Sequence, residues 1–353
     1  MKRPVTIRDI ARELGVSRGT VDRALHNRGE VGEDTRRKIL LKAAELNYKP
    51  NHAARALVRR KPLRLGALCP SQPDYFWDDV IRGLSAAADE LAPFGVEVAF
   101  HSTGARDAEG EAVLAERMLA EGIDGLALAP SNGERLKAAL ARGIAAGTPV
   151  VILNNDIPEL KRLCYVGADS LRAGRVAGGL LGSLMASRGR AVIVAGFRGL
   201  HSQQQRIEGI QRVLAERYPG IELVGILENF DDGQRAYQAV RDLLLVEADL
   251  GGLAVTNVCV GGVGQAVRDY GGERRVRVVG FDLAADTADL MRQGVVDATV
   301  CQSPYEQGYS ALRILGRYLL YGEKPPASVL QTKLEVIVRE MLDESDKVLS
   351  KSG

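Results

Sequence analysis

Planar amides, carboxylates and one guanidinium recur beside aromatic rings through most of this chain, each group just past a short apolar run. Leu63–Cys69 is followed by Asp74, Tyr75, Phe76 and Trp77, the last being the only tryptophan. Val150–Leu153 runs into Asn154, Asn155 and Asp156, and Ala191–Ala195 precedes His201-Ser202-Gln203-Gln204-Gln205-Arg206. Leu253–Val255 leads to Asn257, Val276–Gly280 to Phe281 and Asp282, and Ala298–Cys301 to Gln302. Phe230 stands in a looser position after Leu223–Leu227. This set suits a polyhydroxylated ligand, because bidentate groups hold neighbouring hydroxyls while rings stack on C–H faces. One polar residue past a strand more often only caps the next helix. Six strand ends behaving alike carry the reading.

The elements that must position these residues are apolar strands alternating with helical stretches such as Asp78–Leu91, Ala108–Glu121, Leu171–Met185, Arg206–Arg217 and Arg235–Val246. Alternation of this kind predicts an α/β body of parallel sheets with helices on both faces. Nine or ten strands after residue 62 exceed one mononucleotide fold, so two similar lobes are expected, with a break near 163–168 and a return near 302. In such sheets ligands sit beyond the carboxyl ends of the strands, where the polar groups fall.

Other motifs fail on context. Gly15-Val16-Ser17-Arg18-Gly19 matches the spacing of a nucleophile elbow, but a helical pattern precedes it where a strand is required. Gly262-Val263-Gly264 opens like a dinucleotide fingerprint, yet Val267 occupies its sixth position. The four histidines lack metal-ligand spacing, and the four cysteines, in or beside apolar segments, read as reduced, buried side chains. An enzyme is therefore a poor reading, and no cofactor or metal is expected. The N-terminus has no apolar signal core and no run approaches a membrane span, so a cytoplasmic protein is expected.

Charge divides the chain of 353 residues where its texture changes. Residues 1–62 hold 16 Lys and Arg against 7 Asp and Glu, a balance of +9, while the remainder carries −7. A basic head predicts a polyanionic partner. Its apolar pattern gives three short helices: Ile7, Ile10, Ala11 and Leu14; then Val21, Ala24 and Leu25; then Ile39, Leu40, Ala43, Ala44 and Leu46. Thr6 and Asp9 form a capping box, Gly15 stops the first helix and Ser17 caps the second. Two helices about a glycine turn with a third behind is an all-α helix-turn-helix plan.

The run Val5-Thr6-Ile7-Arg8-Asp9-Ile10-Ala11, then Thr20-Val21 with Arg23, then Ala44-Glu45-Leu46-Asn47-Tyr48-Lys49-Pro50-Asn51, resembles the lac-repressor/galactose-repressor family of bacterial transcription factors. The resemblance implies a DNA-binding domain over 1–50, a hinge helix and linker over 51–62, and an effector-binding and dimerisation domain over 63–353. It places Arg18 and Gly19 at base-reading positions, Arg23 on a base or phosphate, and Thr6, Ser17 and Thr35 on the DNA backbone. Asn51 and Ala54 would lie along the minor groove, with Leu57 as a wedge between central base pairs. Gly19 has no side chain to read a base, and Asp22 stands where the family usually has Ser, so the operator sequence is not transferred.

The body is similar to ribose-binding sugar receptors over most of residues 63–340, most specifically at Val279-Gly280-Phe281-Asp282 and Gln302–Gly308. That resemblance implies a cleft lined by Asp74, Phe76, Trp77, Asn154, Asn155, Arg206, Asn257, Asp282 and Gln302, with Phe76 and Trp77 sandwiching the ring. Asn154-Asn155 replaces the Asp-Arg of ribose receptors, so a different hydroxyl pattern is expected. The function implied is a transcriptional regulator of carbohydrate genes, most simply a repressor, acting as a homodimer on near-palindromic operator DNA under control of a monosaccharide-like effector. A purine effector is the alternative, since Phe76 and Trp77 could stack on a base; a sugar receptor or enzyme without a DNA role is the weaker one.

Overall fold

The computed structural model describes residues 5–25, 29, 31–46, 61–71, 74–104, 107–131, 133–272 and 275–342. Asn51, Ala54 and Leu57 lie outside them. The chain divides into a head within residues 1–62 and a body from Leu63 onward.

In the head, α1 spans Ile7–Leu14, α2 Arg18–Leu25 and α3 Glu33–Glu45. The Thr6 backbone N–H and hydroxyl both donate to Asp9 Oδ2, at 2.9 and 2.6 Å, which closes the capping box. Gly15 ends α1 at φ 63°, a conformation costly for other residues. Ser17 Oγ accepts the Thr20 N–H at 3.0 Å and starts α2. Ile10, Val21 and Ile39, one from each helix, are completely buried and join the three into one small core.

The body holds two six-stranded sheets. The first runs β11-β5-β4-β3-β1-β2, with β1 Leu63–Pro70, β2 Val96–Thr103, β3 Gly125–Leu128, β4 Val150–Leu153, β5 Cys164–Gly167 and β11 Val329–Gln331. The second runs β12-β10-β9-β8-β6-β7, with β6 Arg188–Ala195, β7 Gly220–Glu228, β8 Leu250–Val255, β9 Arg277–Phe281, β10 Ala298–Cys301 and β12 Glu335–Val338. All pairings are parallel except β10 with β12. Parallel sheets need cover on both faces, and each has it. Helices α4 (Asp74–Leu91) and α12 (Pro304–Tyr321) pack on one face of the first sheet, α5 (Ala108–Ala120) and α6 (Glu134–Ala145) on the other. Helices α7 (Ser170–Leu184) and α8 (His201–Arg217) cover one face of the second, while α9 (Gly233–Val246), α10 (Val260–Tyr270) and α11 (Ala285–Arg292) cover the other.

The chain passes between the lobes three times: after β5, after β10 and between β11 and β12. Sequence periodicity counts nine or ten strands. The described residues contain twelve, because Cys164–Gly167, within the stretch read as a break, is itself a strand, and β11 and β12 are too short for a period to show. Among the described residues no helix is long and apolar enough to cross a membrane.

Candidate functional site

The carboxyl ends of both sheets open onto one cavity of about 700 Å³ within the body. The first lobe contributes Pro70, the first turn of α4 with Phe76 and Trp77, the Ala129-Pro130-Ser131 loop after β3, and Asn154 and Asn155 after β4. The second lobe contributes Phe197 and Leu200 after β6, Ser202, Gln203 and Arg206 from α8, Phe230 and Asp231 after β7, Asn257 after β8, Asp282 after β9 and Gln302 after β10. Phe76, Trp77, Asn154, Asn155, Arg206, Phe230, Asn257, Asp282 and Gln302 are thus brought together on one surface. The backbone of Asp74 opens α4, and its side chain lies outside the description.

The deepest polar feature is a buried relay. Arg206 donates through Nη1 to the Thr256 carbonyl and through Nη2 to Gln302 Oε1, both at 2.8 Å. Gln302 Nε2 donates in turn to Asp282 Oδ2 at 2.8 Å. The guanidinium also lies over the Phe281 ring, 4.3 Å from its centroid. Two atoms of this relay, Arg206 Nε and Asp282 Oδ1, are the buried side-chain polar atoms left without a partner among the described residues. An unpaired buried donor or acceptor costs roughly 1–3 kcal/mol, which makes this pair, on two cavity-lining residues, a candidate position for a ligand group. Burial raises the Asp282 carboxyl to about 6 despite Arg206 and the Gln302 hydrogen bond, and burial likewise lowers Arg206 below the usual guanidinium range.

Close helix packing seats that arginine. A Cβ at Gly174 on α7 would fall 2.1 Å from the Arg206 carbonyl oxygen, so only glycine lets α7 and α8 approach there. Backbone strain gathers at the same place. Among the described non-glycine residues with positive φ, Asn154 (64°), Phe230 (56°), Asp231 (60°) and Asp282 (58°) all line the cavity. Such conformations persist where the surroundings over-determine them, and they cluster at ligand sites.

The polar residues divide by role. Asn257 donates to Asn229 Oδ1 and Asp231 Oδ1, both at 2.8 Å, and accepts from Asn229 Nδ2, so its amide holds Asp231 in place. Asn155 donates to the Pro130 carbonyl at 3.1 Å and accepts the Ser202 N–H at 3.1 Å, which occupies both ends of its amide with protein. Asn154 donates to Gln307 Oε1 at 3.3 Å, and its own side-chain oxygen has no hydrogen-bond partner among the described residues. Tyr75 reaches across the lobes to donate to the Val258 carbonyl at 3.3 Å.

The aromatic arrangement corrects the expected sandwich. Phe76 and Trp77 are consecutive in α4, so their side chains diverge by about 100° around the axis. Their rings meet edge to face at 84°, with centroids 5.1 Å apart. They form a corner rather than two parallel walls. Phe197 and Phe230 bring further rings from the second lobe, and Arg235 lies 5.7 Å from the Phe230 centroid. Phe197, Asp231 and Ser131 escape the strand-end reading. Phe197 and Asp231 each carry a visible signal, one directly after a glycine that follows β6, the other beside Phe230.

In the head, Ser17, Arg18, Gly19 and Arg23 are exposed along the start and one face of α2, and Thr35 is half-buried on α3. Arg23 Nη1 lies 3.4 Å from where a Cβ on Gly19 would be, so the guanidinium folds over the position that lacks a side chain. The Thr6 hydroxyl is engaged with Asp9, and the Ser17 hydroxyl shares a 2.8 Å hydrogen bond with Thr20 Oγ1. Cys69, Cys164 and Cys259 are buried, Cys301 is half-buried, and all four are free.

The chain belongs to the periplasmic binding protein domain family, which it matches over residues 65–324. Residues 6–51 match the bacterial regulatory proteins of the lacI family. The HTH-type transcriptional regulator MalR of Streptococcus pneumoniae is 32% identical over 128 residues, 35% of this chain and 38% of that regulator's length. Catabolite control protein A of Staphylococcus aureus is 23% identical over 329 residues, 89% of this chain and 92% of that protein. Among solved structures, the glucose-galactose binding protein GanP of Geobacillus stearothermophilus superposes with a TM-score of 0.73 at 26% identity, covering 80% of this chain and 99% of that one. An ABC transporter solute-binding protein of Burkholderia graminis, in complex with D-arabinose, gives 0.73 at 23% identity over 80% and 97% of the two chains.

Proposed function

We propose that this chain is a DNA-binding transcriptional regulator of carbohydrate genes whose body takes a neutral monosaccharide or a closely related polyol between its lobes. The observation that carries the effector reading is the unpaired Arg206 Nε and Asp282 Oδ1, one donor and one acceptor, on residues of a cavity that four aromatic rings also line. A sugar hydroxyl both donates and accepts, and adjacent hydroxyls can complete both atoms at once. Two carboxylates, Asp231 and Asp282, share the cavity with one guanidinium, which disfavours a dianionic phosphate. The volume lies within the usual range for small-molecule sites, roughly 300–1,000 Å³.

The DNA reading rests on the lacI-family match and on the exposed Arg18 and Arg23 of α2. In this reading Arg18 and Arg23 meet bases or phosphates at the Gly19 surface, and Thr6, Ser17 and Thr35 meet the backbone. Asn51, Ala54 and Leu57 would follow the minor groove. The regulator works as a cytoplasmic homodimer on a near-palindromic operator, the effector is its small-molecule partner, and no cofactor takes part.

Thermal denaturation with D-glucose, D-galactose and D-arabinose, against sugar phosphates and purines, tests the effector. A ligand at 100-fold over its Kd stabilises the body by about 2.7 kcal/mol, a visible shift in Tm. Shifts with a neutral sugar, lost in Asp282→Ala, support the assignment. A shift with purines alone keeps the regulator and overturns the sugar.

A further inference from the structure

We propose that Glu111, Ser131, Pro130 and Asn155 form a brace that ties the first-lobe wall of the cavity to the start of α8 in the second lobe, so that the protein carries its own device for holding the lobes closed. Glu111 lies in the first turn of α5, an ordinary place for a solvated acid, yet it is only 2% exposed. Its Oε2 accepts both the backbone N–H of Ser131, at 2.9 Å, and the Ser131 hydroxyl. Ser131 follows Pro130, whose carbonyl accepts Asn155 Nδ2 at 3.1 Å. Asn155 Oδ1 then crosses the cleft to accept the Ser202 N–H at 3.1 Å.

That last bond explains why the brace favours closure. The first turn of any helix leaves backbone N–H groups without partners. In α8 the residue at the cap position is Leu200, which has no side-chain group to accept them, and no capping bond is made from within the helix. Asn155 supplies the acceptor from the other lobe. Opening the cleft removes it and exposes an uncapped helix end, whether or not a ligand is present. The acceptor comes from the protein itself, so the test needs no ligand.

Glu111 also makes the brace sensitive to pH. A charged acceptor binds a given donor about twice as strongly as a neutral one, so the carboxylate holds the Ser131 loop more tightly than the acid. Burial raises the Glu111 carboxyl to about 7, with Asp107 acting in the same direction and the two Ser131 bonds opposing. Among the described groups around it, Cys69 of β1 is pushed up to about 12 by burial and stays a neutral thiol, and Arg135 of α6 is held by Glu109 and Glu116. His101 of β2 pairs in register with Leu68, which packs in the α5 core. Asp282, raised to about 6, titrates across the cleft.

Acrylamide quenching of the full-length protein reads closure directly, because Trp77 is the only tryptophan and lines the cavity at 8% exposure. Glu111 and Ser131 belong to the same lobe, so opening leaves the carboxyl buried and only slackens its bonds to Ser131. Those bonds favour the carboxylate, so closure gains as Glu111 ionises. Without sugar, the quenching constant should therefore fall by about twofold from pH 5.5 to 8.5. In Glu111→Gln, a near-isosteric change, the part of that transition centred near 7 should vanish, and the difference between the two profiles separates Glu111 from Asp282. Ser131→Ala should flatten the same part, His101→Gln should keep it, and Asn155→Ala should raise quenching at every pH. Far-UV circular dichroism admits only folded variants, and Ser131→Ala serves if Glu111→Gln does not fold. A wild-type profile in Glu111→Gln or Ser131→Ala, or unchanged quenching in Asn155→Ala, overturns the proposal.

Discussion

Asp282 sits at φ 58°, is held on one oxygen by Gln302 and leaves the other empty. A sugar hydroxyl donating to that oxygen favours the ionised form, so binding releases a proton whenever the free carboxyl is protonated. The free group titrates near 6, so the part of the effector affinity that Asp282 carries should be level above it and fall with acidity below it, by up to about tenfold per pH unit. Isothermal titration calorimetry between pH 5 and 8 checks this, and Asp282→Asn should bind weakly with no such slope. The sequence shows Asp282, Gln302 and Asn154 because they end strands directly, where parallel sheets present their ligands. It hides Glu111, which reads as an acid complementing a helix N-terminus until the fold buries it. It also shows a polar Asn155 without showing that its amide is fully engaged by Pro130 and Ser202. On the DNA side, Arg23 lies over Gly19, so Arg23→Ala should weaken operator binding and relax specificity by roughly 1–3 kcal/mol, whereas a pure phosphate contact would weaken all sequences alike. Fluorescence anisotropy with operator and scrambled duplexes distinguishes the two.

At the scale of elements, packing rather than propensity fixes the site. Helices α7 and α8 touch backbone to backbone through Gly174, against the Arg206 carbonyl, and through Gly209, against the Leu171 carbonyl. Gly174→Ala removes a flexible residue from a helix, which alone would stabilise α7. The added methyl would have to push α8 away, and overpacking of this kind costs about 1–3 kcal/mol. The expected result is a lower urea midpoint together with weaker effector binding, since Arg206 moves with its backbone. A stabilised variant with unchanged binding would show that α8 is not held by that contact. Helix periodicity made α7 and most of α8 legible, but the first turn of α8 was not, because Ser202 and Gln203 look like loop residues until Asn155 caps them from the other lobe.

The whole molecule joins a basic head to an acidic two-lobed body, and in the function proposed above the coupling of the two is the regulatory step. Lobe closure with an effector should change operator affinity by about 5–150-fold, the range given by a coupling of about 1–3 kcal/mol. Operator titrations with and without saturating sugar measure it, and equal affinities would leave the cleft without regulatory meaning. Sequence texture alone separates head from body, because the charge balance reverses and the period changes after residue 62. The full weave of the body escapes it: β11 and β12, of three and four residues, carry little hydrophobic pattern, yet each adds an outer strand to a different lobe.

That weave governs how the protein is made. The first sheet begins at Leu63 but acquires its outermost strand only with Val329–Gln331, and its covering helix α12 only with residues 304–321. The second lobe lies between these pieces in the chain, so on the ribosome β6 to β10 can assemble while one apolar face of the first sheet is covered by α4 alone. Synthesis at about 5–20 residues per second leaves that face waiting for several seconds. The first lobe is the earlier to emerge yet waits for α12 and β11 until near the end of the chain, and it is the part of this molecule that most needs shelter while it is born.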